Sequence, residues 1–293
     1  MAAEQTRRAI ALQPEWLARV PTDRRFPDGA RLLFCGCGTS FHAAQTGGEA
    51  VQALELVLRP ERAADLLVLV SHEAETPMTL EAARTWVGPK WLVTGNPDGP
   101  IAALCDEVVV ATPAIEESWC HTVSYTCAVA TIAALHGDDV SWLPDAVEVA
   151  LAEALPGFGG QERFLVAGAG RDRPTAQEAV LKLREGAWVA AEAYETEQLL
   201  HGYLAAVDES VRAFVLEGEG PGAARARAAV AALRELGCDA DLVPTRHPVV
   251  DIVLFQRLTV AIAEARGREP DRIRRHDERW ANAAKAAKAD NAS

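Results

Sequence analysis

The feature that most constrains this chain is one local pattern that occurs twice. "RLLFCGCGTS" ends a β-type run in a Gly-rich turn near the start, and "RFLVAGAG" does the same past the middle. After the first, "FHAAQTGGEAVQALELV" reads as a helix. The second continues "RDRPTAQEAVLKLREGAWVAAEAY", a Gly turn followed by one long helix. Further strand-like runs are "DLLVLVS", "KWLVTGN" and "DEVVVAT" in the first half, and "SVRAFVLEG" and "CDADLVPT" in the second. "LEAARTW", "HTVSYTCAVATIAALHG" and "ARARAAVAALRELG" read as helices between or after them. Strands separated by helical patterns imply parallel sheets with helices on both faces. The expected fold class is therefore α/β with two related lobes, each a flavodoxin-like three-layer sandwich. The stretch 137–160 reads as the connection, which gives a first lobe over 1–145 with the N-terminal helix and a second over 146–293 with the C-terminal tail. A dinucleotide-binding Rossmann domain is the rival. Neither "GCGTS" nor "GAGRD" completes G-x-G-x-x-G, and no acid stands at a second strand end.

Composition narrows the partners. The 293 residues are 49% hydrophobic and 24% charged, enough to bury sizeable cores, and carry a net charge of −13. Nucleic-acid binding needs clustered Lys and Arg, so no nucleic-acid partner is expected. The short basic run Arg272 to Arg275 reads as solvated surface. No apolar stretch reaches the roughly 20 residues of a membrane span. "MAAEQTRRAIALQPEW" lacks the apolar core of a signal peptide. The six cysteines form no paired CxxC and sit mostly in apolar runs, as reduced, buried thiols would. A cytoplasmic chain without metal or other cofactor is expected.

"LVLVSHEAETPMT" reads as a strand running into a turn ahead of a helix. Strand-end loops of this kind bind ligands in open α/β sheets. Glu73 stands there where a small hydroxyl would suit an anion. Thr39 and Ser40 follow the first strand at a second such turn. Their hydroxyls, with the N–H groups of the next helix, suit an anion or a sugar hydroxyl, or cap the helix.

Several segments together resemble the SIS (sugar isomerase) family, and within it the isomerase half of glucosamine-6-phosphate synthases. "QPEWLARV" resembles the family's leading "QP" helix, and "CGCGTSFHA" its "CGTS-[FY]-HA" turn. "VSHEAETPMT" occupies the place of its "SQSGET-x-x-T" loop. "EAVLKLREGAWVAAEAYETEQLLHG" is similar to its "EGALKLKE…AEAY…E-x-x-HG" segment, the most specific of the four. The likeness runs to about residue 271. Alanine at position 2, with no N-terminal cysteine, leads to the expectation that the glutaminase half is absent.

The resemblance implies aldose–ketose isomerisation, which moves a proton between C1 and C2 and needs a positioned base and a proton shuttle for ring opening. It implies Glu185 as the proton-transfer base and Lys182 as a lysine near the reacting sugar. It implies His201 as the ring-opening histidine, lent by the neighbouring subunit of a homodimer. In the loop it aligns Ser71, Glu73 and Thr76 with hydroxyls that line a sugar phosphate, and His72 with a glutamine. A carboxylate within about 4 Å of a phosphate costs at least ~1 kcal/mol, so Glu73 either points away, pairs with an arginine, or accepts from the hydroxyls or ammonium of a neutral or amino-bearing sugar, the reading favoured here. In the tail "EPDRIRRHDERWANAAKAAKAD", Glu278 falls near the synthases' Schiff-base lysine, while Lys285 and Lys288 come later on an Ala-rich, helical stretch. That departure favours isomerisation or deamination over synthesis. The expected function is a sugar isomerase acting on a phospho- or amino-sugar derivative, its aldose–ketose isomerisation open to coupling with removal or transfer of an amino group. The alternative is a non-catalytic, sugar-derivative-binding regulatory protein; retention of both Glu185 and His201 favours the enzyme.

Overall fold

A computed structural model describes residues 3–289. The chain divides into two compact units, Glu4–Glu148 with the segment from Asp271 onward, and Val149–Pro270. The first contains α1 (Glu4–Ala11), α2 (Gln13–Leu17), β1 (Leu32–Gly36), α3 (Thr39–Gln45), β2 (Ala50–Gln52) and α4 (Ala53–Leu58). There follow β3 (Leu66–Val70), α5 (Pro77–Thr85), β4 (Lys90–Thr94), β5 (Glu107–Val110) and α6 (Val123–His136). Helix α7 (Leu143–Ala152) carries the chain onward. The second unit holds β6 (Arg163–Ala167), α8 (Arg173–Ala187), β7 (Ala190–Tyr194), α9 (Thr196–Leu200), β8 (Val211–Leu216), α10 (Pro221–Glu235), β9 (Asp239–Val243) and α11 (Pro248–Ala265). Helix α12 (Glu278–Ala289) closes the described chain.

Each unit is built on one parallel sheet. The first has the order β2-β1-β3-β4-β5 and the second β7-β6-β8-β9. The order reverses beside the first strand of each lobe, between β1 and β3 and between β6 and β8. Ligand crevices form at the carboxyl ends of strands at such points. Both middle strands are buried along their whole length, so their sequences are runs of apolar residues rather than alternations. Leu67 and Leu69 of β3 join Leu33, Leu56, Ala82 and Leu92 in one core. In the second lobe Leu165, Ala213 and Val215 pack with Leu199 of α9 and Val230 and Leu233 of α10. On its other side Phe214 of β8 meets Phe255 of α11 edge-on, with centroids 5.7 Å apart.

Two of the expected helices are shorter than the pattern predicts. "FHAAQTGGEAVQALELV" splits into α3, the edge strand β2 and α4. Gly48 sits at φ +136, and a Cβ on Gly47 would lie 2.4 Å from the Phe34 ring, so chain and ring approach as only glycine allows. The helix expected to run through "WVAAEAY" ends at Ala187, where Trp188 adopts a left-handed φ of +54. Ala190–Tyr194 then pairs with β6 as an edge strand.

The tail, expected with the second lobe, groups with the first. Asp271 supplies a reason: its carboxylate accepts the N–H groups of Gln5 (3.1 Å) and Thr6 (2.8 Å) at the start of α1, and the Thr6 hydroxyl (2.7 Å). An acid at a helix N-terminus satisfies orphan donors and complements the dipole. Arg274 and Arg275 of the basic run lie over the rings of Trp280 and Trp119. The side chain of Lys288 lies outside the described residues. All six cysteines are free thiols, four of them buried. Among the described residues no helix is long and apolar enough to cross a membrane, and no three His, Cys, Asp or Glu side chains cluster as metal ligands.

Candidate functional site

In the second lobe, Glu178, Lys182 and Glu185 are spaced i, i+4 and i+7 on α8, which places them on one helix face. Glu178 and Lys182 are fully buried, and the Lys182 Nζ lies 3.3 Å from Glu178 Oε1 and 2.9 Å from Glu185 Oε2. Burying an ammonium requires paired charge and hydrogen bonds, and the two carboxylates supply them. Glu185 is the one member of the three that reaches solvent, with its side chain 26% exposed. The Lys182 ammonium is thus enclosed and held against both carboxylates. Glu178 was not legible as a site residue in the sequence. Its signal was the i−4 spacing from Lys182.

His201 lies apart from this group. It is the C-terminal cap of α9, followed by Gly202 at φ +96, and its side chain is 72% exposed. Its Nε2 lies 3.0 Å from Glu197 Oε1. Hydrogen bonds from Arg225, foremost among several influences, hold the Glu197 carboxyl below the usual carboxylate range.

The first lobe gathers the remaining candidates at the carboxyl ends of β1 and β3. Gly38, at φ +54, is the N-cap of α3, so Thr39 and Ser40 are its first helical residues rather than its caps. A Cβ on Gly36 would stand 2.8 Å from the Ser40 backbone, which shows how closely this helix start rides on β1. Ser71 is buried, and its hydroxyl has no hydrogen-bond partner among the described residues. Ala74 stands at φ +55 in the turn that follows. Thr76 is the N-cap of α5 without a side-chain capping bond. The Glu73 side chain is exposed, while its carbonyl accepts from Asn96 Nδ2 (3.0 Å).

His72 turns away from a ligand role. Its Nε2 accepts the Glu116 N–H (3.0 Å), and its ring fills the space over Gly95, where a Cβ would meet it at 2.5 Å. Burial, helped by the neighbouring His121 and opposed by Glu116, pushes its pKa down to about 4. It is a neutral acceptor that ties the β3–α5 loop to the segment after β5.

That segment holds a group the sequence reading passed over. Glu116 is buried and accepts Thr122 N–H (2.7 Å), Thr122 Oγ1 (3.0 Å), Ser124 N–H (2.9 Å) and Ser124 Oγ (2.6 Å). Burial works against its charge, but His121 and the Ser124 and Thr122 donors prevail and hold its carboxyl below the usual range. His121 Nδ1 lies 3.3 Å from Ser124 Oγ and 4.0 Å from Glu116 Oε2. In "AIEESWCHTVS" these residues carry no period, and the acids read as loop surface.

Over nine-tenths of its length the chain shares its architecture with solved structures. The C-terminal domain of glucosamine-fructose-6-phosphate aminotransferase from Francisella tularensis superposes with a TM-score of 0.74 at 19% identity, over 92% of this chain and 98% of that one. Tagatose-6-phosphate ketose/aldose isomerase from Escherichia coli gives 0.76 at 18% identity, over 93% and 96%. The chain has the SIS fold. Among curated sequences, the isomerizing glutamine–fructose-6-phosphate aminotransferase of Methanothermobacter thermautotrophicus is 27% identical over 83% of this chain and 50% of its own length. That of Pyrococcus horikoshii is also 27% identical, over 83% and 50%. The chain thus spans about half the length of these relatives. No family model matches it.

Proposed function

We propose that this protein is a sugar isomerase that interconverts an aldose and a ketose, with a sugar or amino-sugar derivative as substrate. The observation that carries the reading is the Lys182–Glu185 pair. A part-exposed carboxylate is fixed by a buried ammonium at 2.9 Å, as a base must be to move one proton between two adjacent carbons. In this reading Glu185 takes the C2 proton of the open-chain aldose and returns it to C1 of the enediol. Loss or gain of an amino group at C2 would use the same transfer. His201, exposed at the end of α9, serves ring opening in the neighbouring subunit of a homodimer. In the first lobe Ser71, Thr76, Thr39 and Ser40 offer hydroxyls to the sugar, and Glu73 favours a neutral or amino-bearing group over a phosphate.

The neighbours support this class. Besides the two structures above, a glucosamine-6-phosphate deaminase from Thermotoga maritima superposes with a TM-score of 0.73 at 18% identity. The test is a panel of aldoses, amino sugars and their 6-phosphates, each followed for interconversion and for a rise in melting temperature, since a ligand of the folded state stabilises it by mass action. Conversion of at least one sugar is the expected result. Stabilisation by sugars with no conversion of any would instead identify a binding protein.

A further inference from the structure

The geometry points to a binding site for a small carboxylate with an apolar body, in a cavity at the amino ends of β6, β7 and β8. Every residue that lines it belongs to the second unit, so the site takes nothing from the first. It uses neither Glu185 nor His201, and it stands whether or not the protein isomerises a sugar.

The cavity measures about 110 Å³. The sequence of β7 gives a reason for the space. This strand begins with Ala190 and Ala191, both on the lining, where strands more often carry β-branched or aromatic side chains that would fill it. Leu165 of β6, with Val207 and Val211 at the start of β8, forms a buried apolar wall. A dry apolar cavity of about 150 Å³ takes up benzene, so this space suits a chain of about four carbons. On apolar walls alone, any small apolar molecule would serve.

The charged groups narrow the class. Arg163, the first residue of β6, and Arg184, in the last turn of α8, also line the cavity. Both are held by backbone carbonyls: Arg184 Nη1 donates to Ala191 O at 3.0 Å, and Arg163 Nη2 to Ala206 O at 3.0 Å. Arg163 has an acid nearby, with Asp208 Oδ1 at 3.7 Å from its Nη1. Arg184 has no carboxylate within 4 Å among the described residues. Glu192, the acid on the lining, turns to Tyr194 and accepts its hydroxyl proton at 3.0 Å. It makes no ion pair with either arginine among the described residues.

Arg184 is therefore a positioned cation whose remaining donors face no acid of the protein. A guanidinium presents a planar fork that a carboxylate matches with two parallel hydrogen bonds. The carboxylate of the ligand would meet that fork, and its chain would lie against Leu165, Val207 and Val211. Ligand sites commonly have this make-up, with apolar walls and a few placed polar groups. The two halves select together. Inorganic phosphate satisfies the arginine and not the wall, whereas a neutral apolar molecule satisfies the wall and leaves the arginine without its partner.

Butyrate is the probe, with butyramide as the control for charge and inorganic phosphate as the control for the apolar body. The whole chain is titrated with each at constant ionic strength, since salt screens exposed charge. NMR signals of the Ala191 and Val207 amides and of the Arg184 Nε–H group report on the site. Butyrate should shift them in a saturable way, and butyramide and phosphate should bind at least about tenfold more weakly, the share of a charge-assisted hydrogen bond. Arg184→Met keeps most of the side chain's length and loses the fork, so butyrate should bind it at least about tenfold more weakly. Urea unfolding checks that this variant is folded, because Arg184 also holds the Ala191 carbonyl. Glu192→Gln leaves both arginines in place and removes a negative charge from the lining. It should tighten butyrate by about two- to threefold, and it carries the test if Arg184→Met does not fold. No saturable shift with butyrate, butyramide binding as well as butyrate, or unchanged affinity in folded Arg184→Met would overturn the site. Unchanged affinity in Glu192→Gln would do the same.

Discussion

Replacing Lys182 by methionine should destabilise the second lobe by about 3–5 kcal/mol, the cost of stripping a buried carboxylate of its cation. Lys182 Nζ stands about 3 Å from two carboxylate oxygens, and Glu178 is fully buried. At an effective dielectric near 20, each contact at that distance is worth roughly 5 kcal/mol of Coulomb attraction. Desolvation of the charges consumes most of that gain, so the intact cluster adds little net stability. The cost of breaking it is larger because Glu178 stays buried while its cation is lost. The double variant Lys182→Met/Glu178→Gln removes charge from both members and should recover to within about 1.5 kcal/mol of the wild type, giving a coupling energy of at least about 1.5 kcal/mol. Urea unfolding of the wild type, both single variants and the double variant measures the cycle. A Lys182→Met variant that loses less than about 1 kcal/mol, or a double variant no more stable than that single one, would refute the reasoning. Activity should be lost in both, because Glu185 loses its orienting partner.

Other consequences follow from charge and assembly. Burial raises the Asp251 pKa from 3.8 to about 6, against hydrogen bonds from Arg246 and His247. A carboxyl whose folded pKa is raised binds its proton more tightly when folded, so its contribution to stability falls as pH rises from about 4 to 6. Wild type should therefore lose about 3 kcal/mol relative to Asp251→Asn between pH 3.5 and 7, and a pH-independent difference in urea midpoint would contradict this. Glu73→Ser removes a negative charge from the β3–α5 loop and should tighten binding of sugar 6-phosphates by about 1–3 kcal/mol. Calorimetric titration checks that; if the wild type already prefers the phosphate and the variant binds no better, Glu73 points elsewhere. Mixing inactive Glu185→Gln and His201→Ala subunits should restore activity through hybrid dimers, and no recovery after demonstrated subunit exchange would rule out a shared histidine.

Much of the fold was legible because both middle strands, "LLVLV" and "VRAFVL", are apolar along their length and stand between helical patterns. The edge strands β2 and β7 were not. Each pairs on one side only and is rich in alanine or polar residues, so "AVQ" and "AAEAY" read as helix. Long-range pairing with β1 and β6 decides their conformation, and no local pattern carries it. The tail's association with the first lobe was hidden for a similar reason. It involves Asp271 and Thr6, 265 residues apart in sequence. On α8, Lys182 and Glu185 were named through the resemblance of their segment to the family's, and Glu178, at a helix's period from Lys182, was not. The Glu116–Ser124–His121 cluster was not legible either, because a loop has no period, and its members come together only through the turn between β5 and α6.

The account's central claim is that Glu185 moves the proton between C1 and C2. Single-turnover exchange of the C2 hydrogen into heavy water tests it directly, with the sugar that the wild type converts and with the Glu185→Gln variant alongside. The amide keeps the shape and one hydrogen bond but cannot take a proton. Exchange should therefore fall by at least about 100-fold, while the ligand-induced rise in melting temperature stays within a few degrees of the wild type's. Undiminished exchange in Glu185→Gln would contradict the claim, and the base would have to be sought elsewhere.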